Sequence, residues 1–255
     1  AGTLYLTFSG GELFTKEDFF EIAEYARRLH FALRLSTNGT LIDEQAADQI
    51  AALYPDRVSI SIYSTTPEIH DVITSVPGSL ARTIQAARML RDRKVKLEIG
   101  IVLMNQNVND YLKVYRLSQN MGASFRCDPR VTPRNDGNPL PLRFQINEED
   151  LFHVWTDPLF TEELAKETGE FHSNGDRENI LCGAAHTLFY VSPYGDVYPC
   201  VQFPTRCGNL RSEFFEKIWY DSPQMLEIRS TLPSQLPICS KCNLAEHCRT
   251  CPGLA

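Results

Sequence analysis

The stretch LYLTFSGGE, residues 4–12, indicates the architecture of the first half of the chain, because a short β-prone run ends directly in a glycine-rich turn. A helix-periodic stretch follows, and Thr15 before Glu17 and Asp18 is its start signal. The same alternation continues, with Asp43 as the start signal of the next helix, and it predicts a parallel α/β fold. The predicted strands cover residues 4–8, 33–35, 57–62, 96–103 and 124–127, and the predicted helices cover residues 16–29, 43–53, 79–93 and 109–121.

Polar, turn-capable residues stand at the ends of three predicted strands. After the first strand, Gly10 and Gly11 let the backbone approach a ligand, and Glu12 offers a carboxylate to an ammonium group. Asn38 follows the second strand and Ser61 ends the third. Ligands lie at the carboxyl ends of strands in parallel sheets and barrels. A tight turn explains the two glycines equally well by themselves, but three such strand ends in register favour a binding site.

The composition disfavours several classes of protein. With 255 residues, of which 43% are hydrophobic and 22% charged, the chain has an ordinary globular composition. The excess of 32 acidic over 25 basic residues gives a net charge of −7, which disfavours nucleic acid as a partner. No apolar run approaches the roughly 18 to 20 residues of a membrane span, and no secretion signal opens the sequence. We therefore predict a cytoplasmic protein with no membrane partner.

Turn residues separate the predicted α/β region from the C-terminal third. Prolines and polar residues mark residues 132–146 as a long loop, a helix is predicted over residues 148–167, and a second loop covers residues 168–179. The predicted domain boundaries are residues 1–130 for a partial barrel, residues 131–180 for a linker and helical segment, and residues 181–255 for a cysteine-rich domain.

Seven of the eight cysteines lie in the last third of the chain. Residues 239–252 have the pattern C-x2-C-x5-C-x2-C-P, and thiolates at such spacing bind soft metals. Disulfides suit a small secreted domain, and one zinc ion would leave Cys182, Cys200 and Cys207 without a role. Iron–sulfur clusters would use these cysteines too, and a cysteine followed by proline also ends bacterial ferredoxin motifs. The cysteine count thus favours iron–sulfur clusters, with zinc as the alternative.

Turn residues at positions 193–195 join two β-prone runs and predict a hairpin in which Cys182 and Cys200 approach from opposite strands. The pattern C-x12-G-x4-C, followed by Gly-Asn-Leu at residues 208–210 and by C-x2-C-x5-C, resembles the SPASM domain over residues 180–255. The resemblance implies up to two auxiliary [4Fe–4S] clusters. The last gap is two residues where the family has three, and no further cysteine follows, so the number of clusters stays open. The implied metal ligands are Cys182, Cys200, Cys207, Cys239, Cys242, Cys248 and Cys251.

A second resemblance rests on short motifs spread over the first half of the chain. They are Gly-Gly-Glu at 10–12, Thr-Asn-Gly at 37–39, Ser-Ile-Tyr at 61–63, His-Asp at 70–71, Thr74, Gly78 and a strand over 97–102 with Asn107. Together they resemble the core of radical S-adenosylmethionine (SAM) enzymes. The two resemblances imply an α/β fold, a partial (β/α)6 radical SAM barrel, followed by a small cysteine-rich α+β SPASM domain. The implied SAM-binding residues are Gly10, Gly11 and Glu12 for the amino group, Ser61 for the ribose, Val102 for the adenine and Asn38 in support of the same face.

Two departures from the radical SAM family bear on activity. Leu13 stands where the family usually has proline after Gly-Gly-Glu, which leaves the binding groups unchanged. The family's C-x3-C-x2-C cluster loop has no counterpart, because no cysteine precedes Cys127. We expect this loop to lie upstream of Ala1, the alternative being that the protein has lost the chemistry. The chain as given is expected not to cleave SAM.

Three further residues have two possible interpretations each. Cys127 ends the last predicted strand and could donate a hydrogen atom or proton to a substrate, or it could be an inert half-buried thiol. Arg126 could hold a carboxylate of SAM or of a substrate, or form a surface ion pair. Asp196 could accept a proton near the cysteines, or serve as a turn residue after a glycine.

The two resemblances together imply a peptide- or protein-modifying radical SAM maturase. Such an enzyme abstracts a hydrogen atom from a ribosomally made peptide or protein by means of a 5′-deoxyadenosyl radical, and its auxiliary clusters transfer electrons or bind substrate. The implied cofactors are [4Fe–4S] clusters and SAM, and the implied partners are a peptide or protein substrate and a reductant such as flavodoxin or ferredoxin. Two alternatives remain, a non-catalytic iron–sulfur electron carrier or scaffold and a zinc-stabilised binding module.

Overall fold

The computed structural model describes residues 2–134, 136–158, 182–232, 235, 236, 251 and 253. The chain divides into two compact units. Residues 2–131 and 144–147 form the first, which we call the sheet unit. Residues 132–143 and the described residues from 148 onward form the second, which we call the cysteine-rich unit.

The sheet unit contains a parallel five-stranded sheet in the order β1-β2-β3-β4-β5, with helices between successive strands. This arrangement confirms the predicted α/β fold class. The strands are β1 (Tyr5–Phe8), β2 (Ala32–Thr37), β3 (Arg57–Ser61), β4 (Leu97–Val102) and β5 (Ser124–Asp128). The helices are α1 (Phe19–Arg28), α2 (Glu44–Ala52), α3 (Pro67–Thr74), α4 (Ser79–Asp92) and α5 (Tyr111–Met121).

One face of the sheet is apolar and the other is polar, because successive side chains along a strand point to opposite faces. In β2, Leu33 and Leu35 are fully buried, whereas Arg34 and Ser36 on the other face are partly exposed. The helices pack on the apolar face, as in the edge-to-face contact of Phe125 of β5 with a tyrosine of α5. The polar face therefore remains for ligand-binding groups.

The helices of the sheet unit differ from the sequence prediction mainly at the start of the first helix and at α3. The first helix begins at Phe19 and not at residue 16, because a 3-10 turn over Leu13–Thr15 comes first. Helix α3 was missing from the prediction, although Pro67 occupies its first turn, a favourable position for proline. Asp43 is confirmed as the start of α2, since its carboxylate accepts a hydrogen bond from the Ala46 amide at 2.8 Å.

Helix α6 (Glu148–Thr156) begins where it was predicted but ends earlier than residue 167. Pro158 follows closely, and the residue before a proline is disfavoured in helical conformation. The rest of the predicted helix, residues 159–167, and the predicted loop over residues 168–179 lie outside the described residues.

The cysteine-rich unit contains a small antiparallel sheet in the order β6-β7-β8. The predicted hairpin is confirmed, and Gly195 in its turn has a φ of 86°, a left-handed conformation that glycine adopts without strain. Within the described residues of the whole chain, no helix is both long enough and apolar enough to cross a membrane. The elements of the cysteine-rich unit are β6 (Tyr190–Val191), β7 (Asp196–Tyr198), β8 (Gly208–Asn209), α7 (Phe215–Asp221) and α8 (Pro223–Ser230), in addition to α6.

Candidate functional site

Glu12 links the ends of the first two strands of the sheet unit. Its carboxylate accepts hydrogen bonds from Thr37 Oγ1 at 2.6 Å, from the Asn38 amide at 2.8 Å and from the Phe14 amide at 3.4 Å. A carboxylate has about four lone-pair sites, so these bonds leave acceptor capacity for a cationic ligand. The structure thus brings Glu12 and Asn38 together at the carboxyl end of the sheet.

The backbone of the loop that contains Gly10 and Gly11 is accessible to a ligand. A Cβ atom added at either glycine would meet no atom within 4 Å. Asn38 stabilises the neighbouring loop, because its Oδ1 accepts hydrogen bonds from the amide and hydroxyl of Thr40 at 2.8 and 2.6 Å. An accessible backbone beside a fixed carboxylate suits the amino group of an amino-acid ligand.

Ser61, Gly100 and Arg126 form one row across the polar face, since the strand register pairs Gly100 with both of the others. A Cβ atom at Gly100 would lie 3.1 Å from Arg126 Nη2. The missing side chain therefore leaves room for the guanidinium to lie across β4. Val102 pairs with Asp128 two residues nearer the strand ends and shares this face. Ser61, Val102 and Arg126 thus lie at the same end of the polar face.

Glu98 fixes the position of Arg126 from within the sheet. This buried carboxylate accepts hydrogen bonds from Arg126 Nε at 3.1 Å, from Ser59 Oγ at 2.7 Å and from Arg57 Nη1. Glu98 is the only hydrogen-bond partner of the Arg126 side chain within the described ranges, so its Nη groups remain for a ligand. Sequence reasoning missed Glu98 because its partners are 41, 39 and 28 residues away along the chain.

Asn107 holds the loops that follow β3 and β4 together. The buried amide donates hydrogen bonds from Nδ2 to the carbonyls of Tyr63 and Val102 at 2.9 and 3.1 Å, and its Oδ1 accepts one from the Met104 amide at 2.7 Å. On the other side, His70 Nδ1 accepts a hydrogen bond from the Tyr63 amide at 3.1 Å. Burial lowers the pKa of His70, which favours the neutral imidazole that this bond requires.

Cys127 does not join this group of residues. It follows Arg126 in β5 and therefore lies on the opposite face of the strand, the face on which Phe125 packs against Tyr115 of α5. The register pairs Cys127 with Ile101, a buried residue of the apolar face. This placement agrees with a half-buried structural thiol, and the alternative role in hydrogen transfer gains no support from the geometry.

Cys182 and Cys200 lie on adjoining segments of the cysteine-rich unit. The Ala185 amide donates a hydrogen bond to the Pro199 carbonyl at 3.3 Å, which places the loop after Cys182 beside the segment before Cys200. Each sulfur accepts a hydrogen bond from the amide two residues later, at 3.4 Å for Cys182 and 3.2 Å for Cys200. Amide donors at sulfur stabilise a thiolate, so both cysteines fit the donor set of an iron–sulfur cluster.

Cys207 lies beside β7, because its amide donates a hydrogen bond to the carbonyl of Val197 in that strand at 2.8 Å. Burial raises the pKa of the Cys207 thiol, while a hydrogen bond with Ser222 and the positive charge of Arg229 lower it. The described residues contain no group of three His, Cys, Asp or Glu side chains close enough to hold a metal ion. Of the other predicted ligands, Cys251 is described and half-buried, whereas Cys239, Cys242 and Cys248 lie outside the described residues.

Asp196 binds residues of β8 and of the segment that precedes it. Its Oδ1 accepts hydrogen bonds from Asn209 Nδ2 at 2.8 Å and from Arg206 Nε at 2.6 Å. These contacts link β7 to β8 and to the segment that contains Cys207. They agree with a structural role at the turn, and the predicted proton-acceptor role stays a prediction.

Comparison with known proteins matches each unit to a family. Residues 1–118 match the radical SAM superfamily, and residues 182–243 match SPASM, an iron–sulfur cluster-binding domain. Among curated relatives, the AdoMet-dependent heme synthase of Methanosarcina barkeri is 26% identical, over 99% of this chain and 77% of its own. The mycofactocin maturase MftC of Mycobacterium ulcerans is 25% identical, over 96% of this chain and 69% of its own.

Among solved structures, Streptococcus suis SuiB bound to S-adenosylmethionine superposes with a TM-score of 0.68 and 19% sequence identity. The match covers 95% of this chain and 60% of the SuiB chain, and SuiB has also been solved with its precursor peptide SuiA. This likeness confirms the fold. Radical SAM and SPASM proteins bind SAM and iron–sulfur clusters, which are the cofactors predicted from the sequence. The chain therefore contains a radical SAM domain, matched over residues 1–118, followed by a SPASM iron–sulfur cluster-binding domain, matched over residues 182–243.

Proposed function

We propose that the protein modifies a ribosomally made peptide or protein by abstracting a hydrogen atom from it. One observation carries this proposal, namely that the predicted SAM-binding residues all lie toward the carboxyl ends of the parallel strands, where Glu12 is fixed by Thr37 and Asn38. Ligands of parallel sheets bind at this end of the strands.

In this proposal the open backbone of Gly10 and Gly11, together with the Glu12 carboxylate, binds the amino group of SAM. Ser61 binds the ribose and Val102 lines the adenine. Arg126, fixed through Nε by Glu98, offers its Nη groups to the carboxylate of SAM. When bound, SAM supplies a 5′-deoxyadenosyl radical and methionine on one-electron reduction. The residues of the chain orient the ligand at the strand ends and keep its charged groups paired.

The cysteine-rich unit would hold the auxiliary clusters. The Cys207 amide donates a hydrogen bond to Val197 of β7, Cys200 follows that strand closely, and the loop after Cys182 bonds to Pro199 between them. The proposed ligands are Cys182, Cys200, Cys207, Cys239, Cys242, Cys248 and Cys251. The clusters would accept or deliver electrons during the reaction, with flavodoxin or ferredoxin as the external reductant. Sulfur ligands that carry amide hydrogen bonds suit this role, because such bonds tune a cluster potential.

The substrate class is proposed from the relatives. MftC is a maturase, and SuiB has been solved with a precursor peptide, which favours a peptide substrate for this chain. The heme synthase of Methanosarcina barkeri gives a second candidate, a haem precursor. Both candidates need the same SAM-binding edge, so they differ only in the molecule that is modified.

The test uses the full-length protein, purified without oxygen and reconstituted with iron and sulfide. We expect 5′-deoxyadenosine to form from SAM under strong reductant, and a mass change in a short peptide encoded beside the gene. A mass change in a haem precursor in place of the peptide would favour the second candidate. An iron-loaded protein that forms no deoxyadenosine would be an electron carrier or scaffold, and a colourless protein with zinc would be a binding module; either result contradicts the proposal.

A further inference from the structure

Arg229, in α8, carries a buried hydrogen-bond donor without a partner. Its Nε donates a hydrogen bond to the Ala185 carbonyl at 2.7 Å, and its guanidinium carbon lies 4.6 Å from the centre of the Trp219 ring. Nη2 is buried, yet it has no hydrogen-bond partner within the described residues. An unsatisfied buried donor destabilises the fold, and more so when the group is charged. Such a donor calls for an explanation, and a redox role is among the known ones.

The contacts of Arg229 prevent this donor from reaching water by a simple rotation. The bond from Nε to Ala185 and the stacking on Trp219 fix the plane of the guanidinium at two points. Trp219 packs in turn against the buried core of the cysteine-rich unit. The donor is therefore held in place by the fold.

The same contacts place Arg229 among the predicted cluster ligands. Ala185, which accepts its Nε bond, donates its own amide to Pro199, the residue before Cys200. Cys207 packs against the same small core as Trp219, the ring on which Arg229 stacks. Arg229 is thus bonded to the loop that follows Cys182, and that loop is bonded in turn to the residue before Cys200.

We propose that Arg229 donates a hydrogen bond from Nη2 to a sulfur atom of the iron–sulfur cluster ligated around β7 and thereby raises its reduction potential. The inference rests on the proposed function, because it requires that Cys207 and its neighbours ligate a cluster. A reduced cluster carries one more negative charge than the oxidised cluster. A positive donor at its sulfur therefore stabilises the reduced form.

The experiment compares three variants of the full-length, cluster-loaded protein by redox titration with EPR detection. Arg229→Gln removes the charge, and we expect its one-electron reduction equilibrium to be about tenfold less favourable, a potential about 59 mV more negative. Arg229→Lys keeps the charge and should shift the potential less. Arg211→Gln, which removes an exposed guanidinium of the same unit, should leave the potential unchanged. A potential of Arg229→Gln equal to that of the wild type would overturn the inference.

A second measurement does not depend on how well Arg229→Gln folds. Wild-type protein labelled with 15N-arginine should show a weak 15N hyperfine coupling to the reduced cluster in pulsed EPR, and the labelled Arg229→Lys protein should lack it. Absence of the coupling in the wild type overturns the inference. Iron and sulfide analysis keeps the two proposals distinct, because a wild type without a cluster contradicts the proposed auxiliary-cluster role as well, whereas a loaded wild type without the coupling contradicts only the role of Arg229.

Discussion

The two units of the chain differ in how much apolar surface they bury. The core of the sheet unit contains buried apolar side chains from β2 to β5 and from helices α1, α2, α4 and α5. Helix α3 buries only the polar His70. The core cluster of the cysteine-rich unit, within the described residues, has four buried members, Ala185, Val197, Ile218 and Met225. A small unit with so little core generally needs metal or covalent links in order to fold. We therefore expect burial to stabilise the sheet unit, and ligation to stabilise the cysteine-rich unit in addition to its small core.

The strongest test of this difference removes one predicted ligand. Cys207→Ser should abolish most of the bound iron and the protection of residues 182–232 against hydrogen exchange, because metal binding supplies folding free energy in small metal domains. The strands β1 to β5 should keep their protection. Hydrogen exchange with mass spectrometry measures both, and Cys127→Ser is the matched control in the sheet unit. If residues 182–232 remain protected in the iron-free variant, the small core is sufficient to keep the cysteine-rich unit folded, and the expected dependence on ligation is wrong.

A matched pair of core substitutions compares the units directly. Ile60 in β3 and Ile218 in α7 are both almost fully buried, and shortening either to alanine should cost about 2–5 kcal/mol. We expect Ile60→Ala to leave the sheet unit folded with a lower midpoint of unfolding. Ile218→Ala should prevent the metal-free cysteine-rich unit from folding, whereas added iron and sulfide should restore it. Denaturant unfolding of both variants, with and without cluster, measures these effects. If both variants lose the same stability and neither depends on the cluster, the proposed difference between the units is wrong.

The third test concerns the ligand-binding edge of the sheet unit. Glu12→Ala should weaken SAM binding about 10- to 100-fold, since hydrogen bonds to charged groups are worth about 1.5–3 kcal/mol. Calorimetric titration of the cluster-loaded protein with SAM measures the effect. Glu17→Gln removes an exposed carboxylate nearby and should bind SAM normally. SAM binding by Glu12→Ala at wild-type affinity would show that the carboxylate serves only to link the two loops.

The smallest expected effect is a pH dependence of the sheet unit. Burial lowers the pKa of His70 below its usual value of 6.5, although the charge of Asp71 opposes this shift. Between 6.5 and the lower folded-state pKa, the unfolded chain binds a proton that the folded chain does not. Stability is therefore fully present above pH 6.5 and falls as the pH drops below it, by up to about 1.4 kcal/mol per pH unit.

Urea unfolding between pH 5 and pH 8 measures this slope, with His70→Asn as the control. The asparagine cannot titrate in this range, and its carbonyl oxygen can accept the hydrogen bond from Tyr63 in place of Nδ1. The variant should lose the part of the slope that His70 causes. An unchanged slope would assign the pH dependence to other groups.

Sequence reasoning was most successful where local pattern determines structure. The strands, most helices and the hairpin at Gly195 follow from short β-prone runs and turn residues, and the structure confirms them. Gly10, Gly11, Glu12, Asn38 and Ser61 could be selected because all of them follow or end a predicted strand.

The residues that sequence reasoning missed depend on distant partners. Glu98 lies within an apolar run, and its structural role depends on hydrogen bonds from Arg57 and Arg126 on neighbouring strands. Arg229 is one of many arginines in the sequence, and only tertiary packing brings it against Trp219 and Ala185. Cys127 was placed at the right strand end, but its face depends on the register of β5 with β4.

The cross-strand network at Glu98 has a further consequence for catalysis. Its three hydrogen-bond partners are already in position on the polar face, so these dipoles need no rearrangement when a ligand arrives. Dipoles that are already oriented need no reorganisation free energy during the reaction, whereas mobile water molecules would have to reorient. The fixed dipoles of the polar face can therefore stabilise charge in a ligand bound above them. The rigidity of the sheet would then contribute to catalysis.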